Sequence, residues 1–234
     1  MKVAAVIAAA GLGRRMQKDI PKTYLPLAGK PILIHTLEIF EKVPEVQEVL
    51  VVVHPEDLEF CQEEILAPYP LKKVLRVVPG GKERQDSVYN ALKVLKRESE
   101  ELEVILVHDG VRPLVAPALI RQVVAAARRH GAAILGIPCQ DTLKRVSSRK
   151  EVVDTVDRRE LWQVQTPQAF QTGLLWRAYQ EAMSRGLYAT DEASLVEALG
   201  KTVVVVPGSP LNLKITTQDD LKMAEAFLAH KQGK

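Results

Sequence analysis

Val3-Ala4-Ala5-Val6-Ile7-Ala8-Ala9-Ala10-Gly11-Leu12-Gly13-Arg14-Arg15-Met16 opens the chain and decides how the rest is read. Val3–Ala8 is apolar without alternation, the pattern of a strand buried on both faces. The small residues and glycines that follow let backbone N–H groups come close to a phosphate. The dinucleotide fingerprint requires a third glycine where Met16 stands, and no GxxxxGK[ST] loop occurs. Gly200-Lys201-Thr202 imitates the end of that loop, but Leu195 stands where its first glycine belongs and a strand follows instead of a helix.

Further apolar runs at Val49–Val53, Val74–Val78, Val104–Val107, Ala133–Ile137 and Val203–Val206 read as buried strands, and Leu213–Ile215 as a short one. Helical patterns lie between and after them, at Pro31–Val43, Pro55–Leu66, Asp86–Leu95, Pro117–His130, Gly173–Arg185, Asp191–Leu199 and Gln218–His230. This alternation predicts an α/β fold: a mostly parallel sheet with helices on both faces and ligands beyond the carboxyl ends of the strands. The segments after the first strand, at Gly80–Ser87 and after the fourth strand should therefore meet. Gln140–Arg159 breaks the pattern. It is polar and charged, with a turn at Ser147–Lys150, and reads as a projecting β-hairpin arm over about 140–160. Such an arm cannot bury two faces alone, so it is expected to pack on the same arm of a second subunit; a mobile surface hairpin is the alternative.

At 234 residues, the chain is expected to form one domain with a sizeable core. Its 47% hydrophobic and 26% charged residues exclude a disordered, collagen-like or disulfide-scaffold protein. The formal net charge of +3 argues against a broad nucleic-acid-binding face but allows a local anion site. No apolar run reaches the roughly 18 residues of a membrane span. Lys2 and the run Val3–Ala10 are followed at once by Gly11 and the Arg14–Arg15 pair, so a first strand is read there instead of a targeting segment. Cys61 and Cys139 match no metal spacing and read as idle thiols in a cytoplasmic protein.

Arg14, Arg15, Lys18 and Lys22 follow the first glycines, and Pro21 and Pro26 stiffen the loop around Lys22. Clustered cations beside open backbone donors suit a polyphosphate; a solvated basic loop is the alternative. Gly80-Gly81-Lys82-Glu83-Arg84-Gln85-Asp86-Ser87 could lay a base or ribose against backbone, with Ser87 in a first helical turn; alone, it is an ordinary turn and cap. In His108-Asp109-Gly110-Val111-Arg112-Pro113, Asp109 at a strand's carboxyl end is placed for Mg²⁺ or a substrate hydroxyl, and Arg112 for a phosphate. His108 has no nucleophile to serve and reads as structural. Nothing intrinsic to the sequence brings Asp141-Thr142, Asp157-Arg158, Thr166-Pro167-Gln168, Thr190-Asp191-Glu192 and Lys214-Ile215-Thr216 together.

These motifs, in this order and from Val3 to about Leu228, resemble the 2-C-methyl-D-erythritol 4-phosphate cytidylyltransferase family. The resemblance implies a homodimeric nucleotidyltransferase with a Rossmann-like core. It would transfer CMP from CTP to the sugar phosphate, releasing pyrophosphate, with Mg²⁺ or another divalent cation. It implies that Ala9, Ala10, Gly11, Arg15, Lys22, Gly81 and Ser87 hold CTP, with Arg15 and Lys22 stabilising the transition state. Arg112, Thr166 and Lys214 would bind the sugar phosphate from one subunit, and Thr142 and Arg158 from the partner's arm. Asp109, beside Gly110, would hold the substrate or its metal environment. Lys82 stands where the family commonly has an acidic residue, which removes one expected ribose or base contact; Leu211 stands where an aspartate often precedes Asn-x-Lys, which weakens a two-carboxylate metal site and places Mg²⁺ mainly on the triphosphate and water. A cytidylyltransferase for another polyol phosphate such as ribitol 5-phosphate, a sugar-1-phosphate nucleotidylyltransferase and a non-catalytic nucleotide-binding regulator are the rival readings; Met16 and the basic loop disfavour a dehydrogenase.

Overall fold

The computed structural model describes residues 2–11, 20–98 and 101–232. The chain runs β1 (Lys2–Ala8), β2 (Pro26–Leu27), β3 (Lys30–Pro31), α1 (Ile32–Glu41), β4 (Glu48–Val53), α2 (Leu58–Phe60), β5 (Val74–Pro79), α3 (Arg84–Glu98), β6 (Leu102–Asp109), α4 (Pro117–His130) and β7 (Ala132–Pro138). It continues through β8 (Leu143–Val146), β9 (Val152–Val156), β10 (Trp162–Gln171), α5 (Thr172–Arg185), α6 (Glu192–Ala198), β11 (Val204–Pro207) and α7 (Gln218–Gln232).

Seven strands form the main sheet in the order β11-β7-β10-β6-β1-β4-β5. β1 pairs in parallel with both β4 and β6, and the connections reverse direction there: β4 and β5 build outward on one side and β6 lies on the other. That is the topological switch point at which such sheets bind ligands. Burial on both faces explains the unbroken apolar runs. Val3, Ala5 and Ile7 pack with Leu33, Leu37 and Phe40 of α1 and Ile120, Val123 and Val124 of α4. Ala4 and Val6 pack with Val88 and Leu92 of α3 and Leu175 and Tyr179 of α5 on the other face. Fully burying each such large side chain contributes about 1.5–3 kcal/mol.

Three expectations are corrected. β10 is an internal strand, antiparallel to both β6 and β7, where the sequence pattern predicts none. Its Gln163, Gln165 and Gln168 break the apolar run, and Pro167 sits where the ladder to β7 shifts register between Gln165 and Gln168, the kind of irregularity that accommodates a strand proline. Residues 213–215 form no strand; the Ile215 N–H donates to the Val111 carbonyl oxygen, tying an extended segment to the loop after β6. Pro55–Leu66 is not one regular helix but a 3-10 turn, the short α2 and a π-helical turn over Cys61–Leu66. The expected hairpin is present as the separate two-stranded sheet β8-β9. Among the described residues no helix is long and apolar enough to cross a membrane.

Candidate active site

A cleft of about 570 Å³ opens at the carboxyl ends of β1, β4, β5 and β6. One wall is Ala9, Ala10 and Gly11, which continue β1. Strand pairing sets Ala8 directly beside Asp109, and the Gly110 N–H donates to the Ala8 carbonyl oxygen at 2.9 Å. A Cβ on Gly110 would press on that oxygen at 3.3 Å, so this close approach favours glycine. Lys22 reaches the cleft from a 3-10 turn, Lys22–Tyr24. Buried Thr23 and Tyr24 anchor that turn, and the Tyr24 ring packs 5.6 Å from Phe60. Arg15 and its neighbours Arg14 and Lys18, all expected here, lie outside the described residues.

The opposite wall comes from the loop entering α3. The Gly81 N–H donates to Ser87 Oγ at 3.0 Å, and Ser87 Oγ donates to the Glu83 carbonyl oxygen. A Cβ on Gly80 would come 2.8 Å from the Ala10 Cβ and 3.1 Å from the Val53 carbonyl oxygen, so the two glycine-containing loops touch only because that position lacks a side chain.

Asp109 sits between these walls and is buried. Lys214 Nζ lies 3.0 Å from its Oδ2, Arg112 Nε 3.3 Å from the same oxygen, and Arg84 Nε 3.8 Å from Oδ1. Burial pushes this carboxyl up, but Lys214, Arg84 and Arg112 together overrule it and hold it well below the usual carboxylate range. Arg84 is itself fixed by a two-pronged bond to the buried Glu192, at 2.7 and 3.0 Å, and Tyr179 also donates to Glu192. Asp191, capping α6, accepts from Ser194 and Gln168 and so ties that helix to β10. The sequence motifs contain Arg84 and Glu192 but assign them no role; a pair separated by 108 residues leaves no local signal.

Thr166 meets Asp109 through its hydroxyl, which accepts the Asp109 N–H at 3.0 Å. Thr142 and Arg158 stay on the exposed hairpin and are not brought to this cleft within one chain. His108 is entirely buried, its ring tilted against Phe40 with centroids 5.1 Å apart, in agreement with a structural reading. Burial pushes its imidazole down to about 4, against an ordinary value of ~6.5. A depressed value confers stability that is complete above about pH 6.5 and is lost as pH falls toward 4, because the unfolded chain takes the proton first. In an NMR titration of the folded protein, His108 is expected to show no midpoint between about pH 5 and 7; one near ~6.5 would contradict its burial.

Among the described residues no three His, Cys, Asp or Glu side chains group to hold a metal. Asp109 and Glu83 line the cleft without a third ligand beside them, which suits Mg²⁺ carried largely by phosphate oxygens and water.

Two glycine-containing loops and a buried carboxylate ringed by three cations meet at the switch point, and the fold is that of a nucleotidyltransferase. A family model described as 2-C-methyl-D-erythritol 4-phosphate cytidylyltransferase matches residues 3–230. The chain belongs to that family. A protein of that name from Syntrophus aciditrophicus (strain SB) is 47% identical, covering 100% of this chain and 98% of that one. One from Alkaliphilus metalliredigens (strain QYMF) is 46% identical over 99% of this chain and 95% of its own. The crystal structure of the Thermus thermophilus enzyme of the same name aligns with TM-score 0.80 at 36% identity, covering 98% of this chain and 100% of that one. The Francisella tularensis structure aligns with TM-score 0.83 at 35% identity, over 97% and 99%.

Proposed function

We propose that this cleft transfers CMP from CTP to 2-C-methyl-D-erythritol 4-phosphate, giving 4-diphosphocytidyl-2-C-methyl-D-erythritol and pyrophosphate, in the cytoplasmic non-mevalonate route to isoprenoids. The observation that carries the reading is the placement of Lys214 and Arg84 around Asp109, with buried Arg112 also on its carboxylate, in the cleft that Lys22 and the glycine loops line. A non-bridging oxygen of the sugar phosphate attacks the α-phosphorus of CTP in line, and the bond to the bridging oxygen of pyrophosphate breaks. A phosphate monoester has its second pKa near ~6 and is already largely dianionic at neutral pH, so no general base is required. Two described histidines adjoin the cleft: His108 is buried behind it, and His54, which lines it, accepts the Glu56 N–H at Nδ1.

The difficulty is the approach of two anions. Ala9, Ala10, Gly11, Gly81 and Ser87 would hold the nucleotide. Lys22, with Arg15, would neutralise charge building on the α-phosphoryl group and leaving pyrophosphate. Asp109 would be the protein carboxylate for a divalent cation carried by the triphosphate, and that cation would supply further neutralisation. Lys214 and Arg112 would hold the sugar phosphate.

Thr142 and Arg158 are given to the neighbouring subunit's cleft. The exposed Val146, Val152 and Val153 on the hairpin support a homodimer that exchanges arms. Arg158→Ala is expected to lower kcat/KM for the sugar phosphate about 10–100-fold, the loss of one charge-assisted hydrogen bond, with CTP affinity much less affected. Mixing that variant with Lys22→Ala chains should restore about a quarter of the parental sites, since half the dimers would pair one intact set of groups. No recovery in proven mixed dimers would contradict a shared site. The overall reading is tested by pyrophosphate release across a panel of polyol phosphates and nucleoside triphosphates. Methylerythritol phosphate with CTP should lead; ribitol 5-phosphate leading, or no release at all, would overturn it.

A further inference from the structure

Four buried residues, from the end of β6 and the loop after it, the middle of β10 and the loop after β11, close a hydrogen-bonded circuit in which the reaction above gives His108 and Asn212 no part. His108 ends the β6 apolar run, and its Nε2 lies 3.2 Å from the Arg112 carbonyl oxygen. A carbonyl oxygen only accepts, so Nε2 carries a hydrogen. The ring has no exposure and its two partners are an uncharged carbonyl and an uncharged hydroxyl, so it is neutral and Nδ1 presents a lone pair. Thr166 Oγ1 lies 3.0 Å from Nδ1 and must donate its single hydrogen there. Arg112 Nη1 donates to the Asn212 carbonyl oxygen at 2.7 Å, and the Asn212 side-chain amide donates to the Thr166 carbonyl oxygen at 2.8 Å. Every donor points the same way round: His108 to Arg112, Arg112 to Asn212, Asn212 to Thr166 and Thr166 back to His108.

We propose that this circuit positions Asp109 and Arg112 for the transfer reaction, with His108, Asn212 and Thr166 as positioning residues. It rests on the cytidylyltransferase reading for what is positioned, but not for the circuit itself. Asp109 is gripped at both ends: Thr166 Oγ1 accepts its N–H at 3.0 Å, and Arg112 Nε donates to its carboxylate at 3.3 Å. Polarisation runs only where one group both accepts and donates, from the Asp109 N–H through Thr166 Oγ1 and the His108 ring to the Arg112 carbonyl oxygen; the other links close the ring mechanically. Asn212 also carries a buried Oδ1 with no partner among the described residues, a burden that an apolar residue would avoid; its amide holds the chain at this point. Thr166 changes role. Its hydrogen is spent on His108, so toward the cleft it could offer only a lone pair, which a phosphate oxygen cannot use.

Thr166→Val keeps the shape and removes the hydroxyl, whereas Thr166→Ser keeps the hydroxyl. The Val variant is expected to lose about 10–100-fold in kcat/KM for the sugar phosphate, as misplacement of reacting groups does. Its CTP affinity, read by calorimetry without the second substrate, should stay within about 3-fold, and the Ser variant should recover most of the activity. Adding His108→Phe to Thr166→Val should cost no more than the larger single loss, because both break one circuit. Losses that multiply, or an equal weakening of CTP, would overturn the proposal. Nitrogen-15 NMR of the unmodified protein tests the circuit independently of any variant's folding: the His108 hydrogen is expected on Nε2, and finding it on Nδ1 would refute the arrangement. Absence of turnover in the parent protein would instead defeat the cytidylyltransferase reading, with the NMR result still deciding the circuit.

Discussion

Lys22→Ala is expected to lower turnover by about 10²–10³-fold, the effect of removing one preorganised donor from a site where charge develops. Lys22 lies on the cleft wall beside the continuation of β1, and its turn is held from behind by Thr23 and Tyr24. The backbone that delivers the ammonium is therefore fixed by packing, and truncating the side chain leaves that packing in place. The loss should fall on the chemical step, with stability near that of the parent protein. Steady-state pyrophosphate release at saturating substrates, paired with a thermal melt, separates these outcomes. Near-parental turnover would exclude Lys22 from the reaction.

Asp109→Asn should be nearly as damaging to activity and also costs stability. The carboxylate is the one negative group to which Lys214, Arg112 and Arg84 all turn. Neutralising it leaves three cations facing an amide, and breaking a buried pair costs about 3–5 kcal/mol; the lower end applies here, because Lys214 and Arg84 are partly solvated. The cations would also drift from the phosphate they are meant to hold, with an expected loss of about 10²–10³-fold in kcat/KM. The sign of the pH effect follows from the depressed carboxyl. Its contribution is complete above the ordinary value of ~3.9 and is lost as pH falls below it, as the unfolded chain takes up the proton first. The Asn variant should therefore melt lower at about pH 7, and the gap to the parent should narrow on acidification. Identical melting at neutral pH with intact turnover would contradict the role of Asp109.

The parts of this molecule legible in its sequence are those whose physics is local. β1, β4 and β6 are buried on both faces and so appear as unbroken apolar runs. Loops at their carboxyl ends follow from parallel topology, which is why residues 9–11, Gly81, Ser87 and Asp109 are expected to converge before any geometry is known. β10 is hidden because its ladder is carried by a strand interrupted by glutamines and a proline, held by tertiary pairing instead of propensity. Lys214 reaches Asp109 from a loop after the last strand, and Glu192 reaches Arg84 from α6. Neither meeting is encoded in spacing. Family resemblance supplies Lys214 without its partner, and Glu192 stands in a quoted motif with no role assigned to it. Arg158 and Thr142 remain on the exposed hairpin away from the cleft, and only the proposed arm exchange would bring them to one.

The central claim is that fixed positive groups and glycine-lined backbone near the start of the chain hold a nucleoside triphosphate for attack by a second phosphate. A crystal structure with Mg²⁺ and a non-hydrolysable CTP analogue tests it most directly. The triphosphate is expected against residues 9–22, with the base between Ala10 and the Gly80–Ser87 loop. A nucleotide seated elsewhere on the molecule, with this cleft empty, would contradict the account.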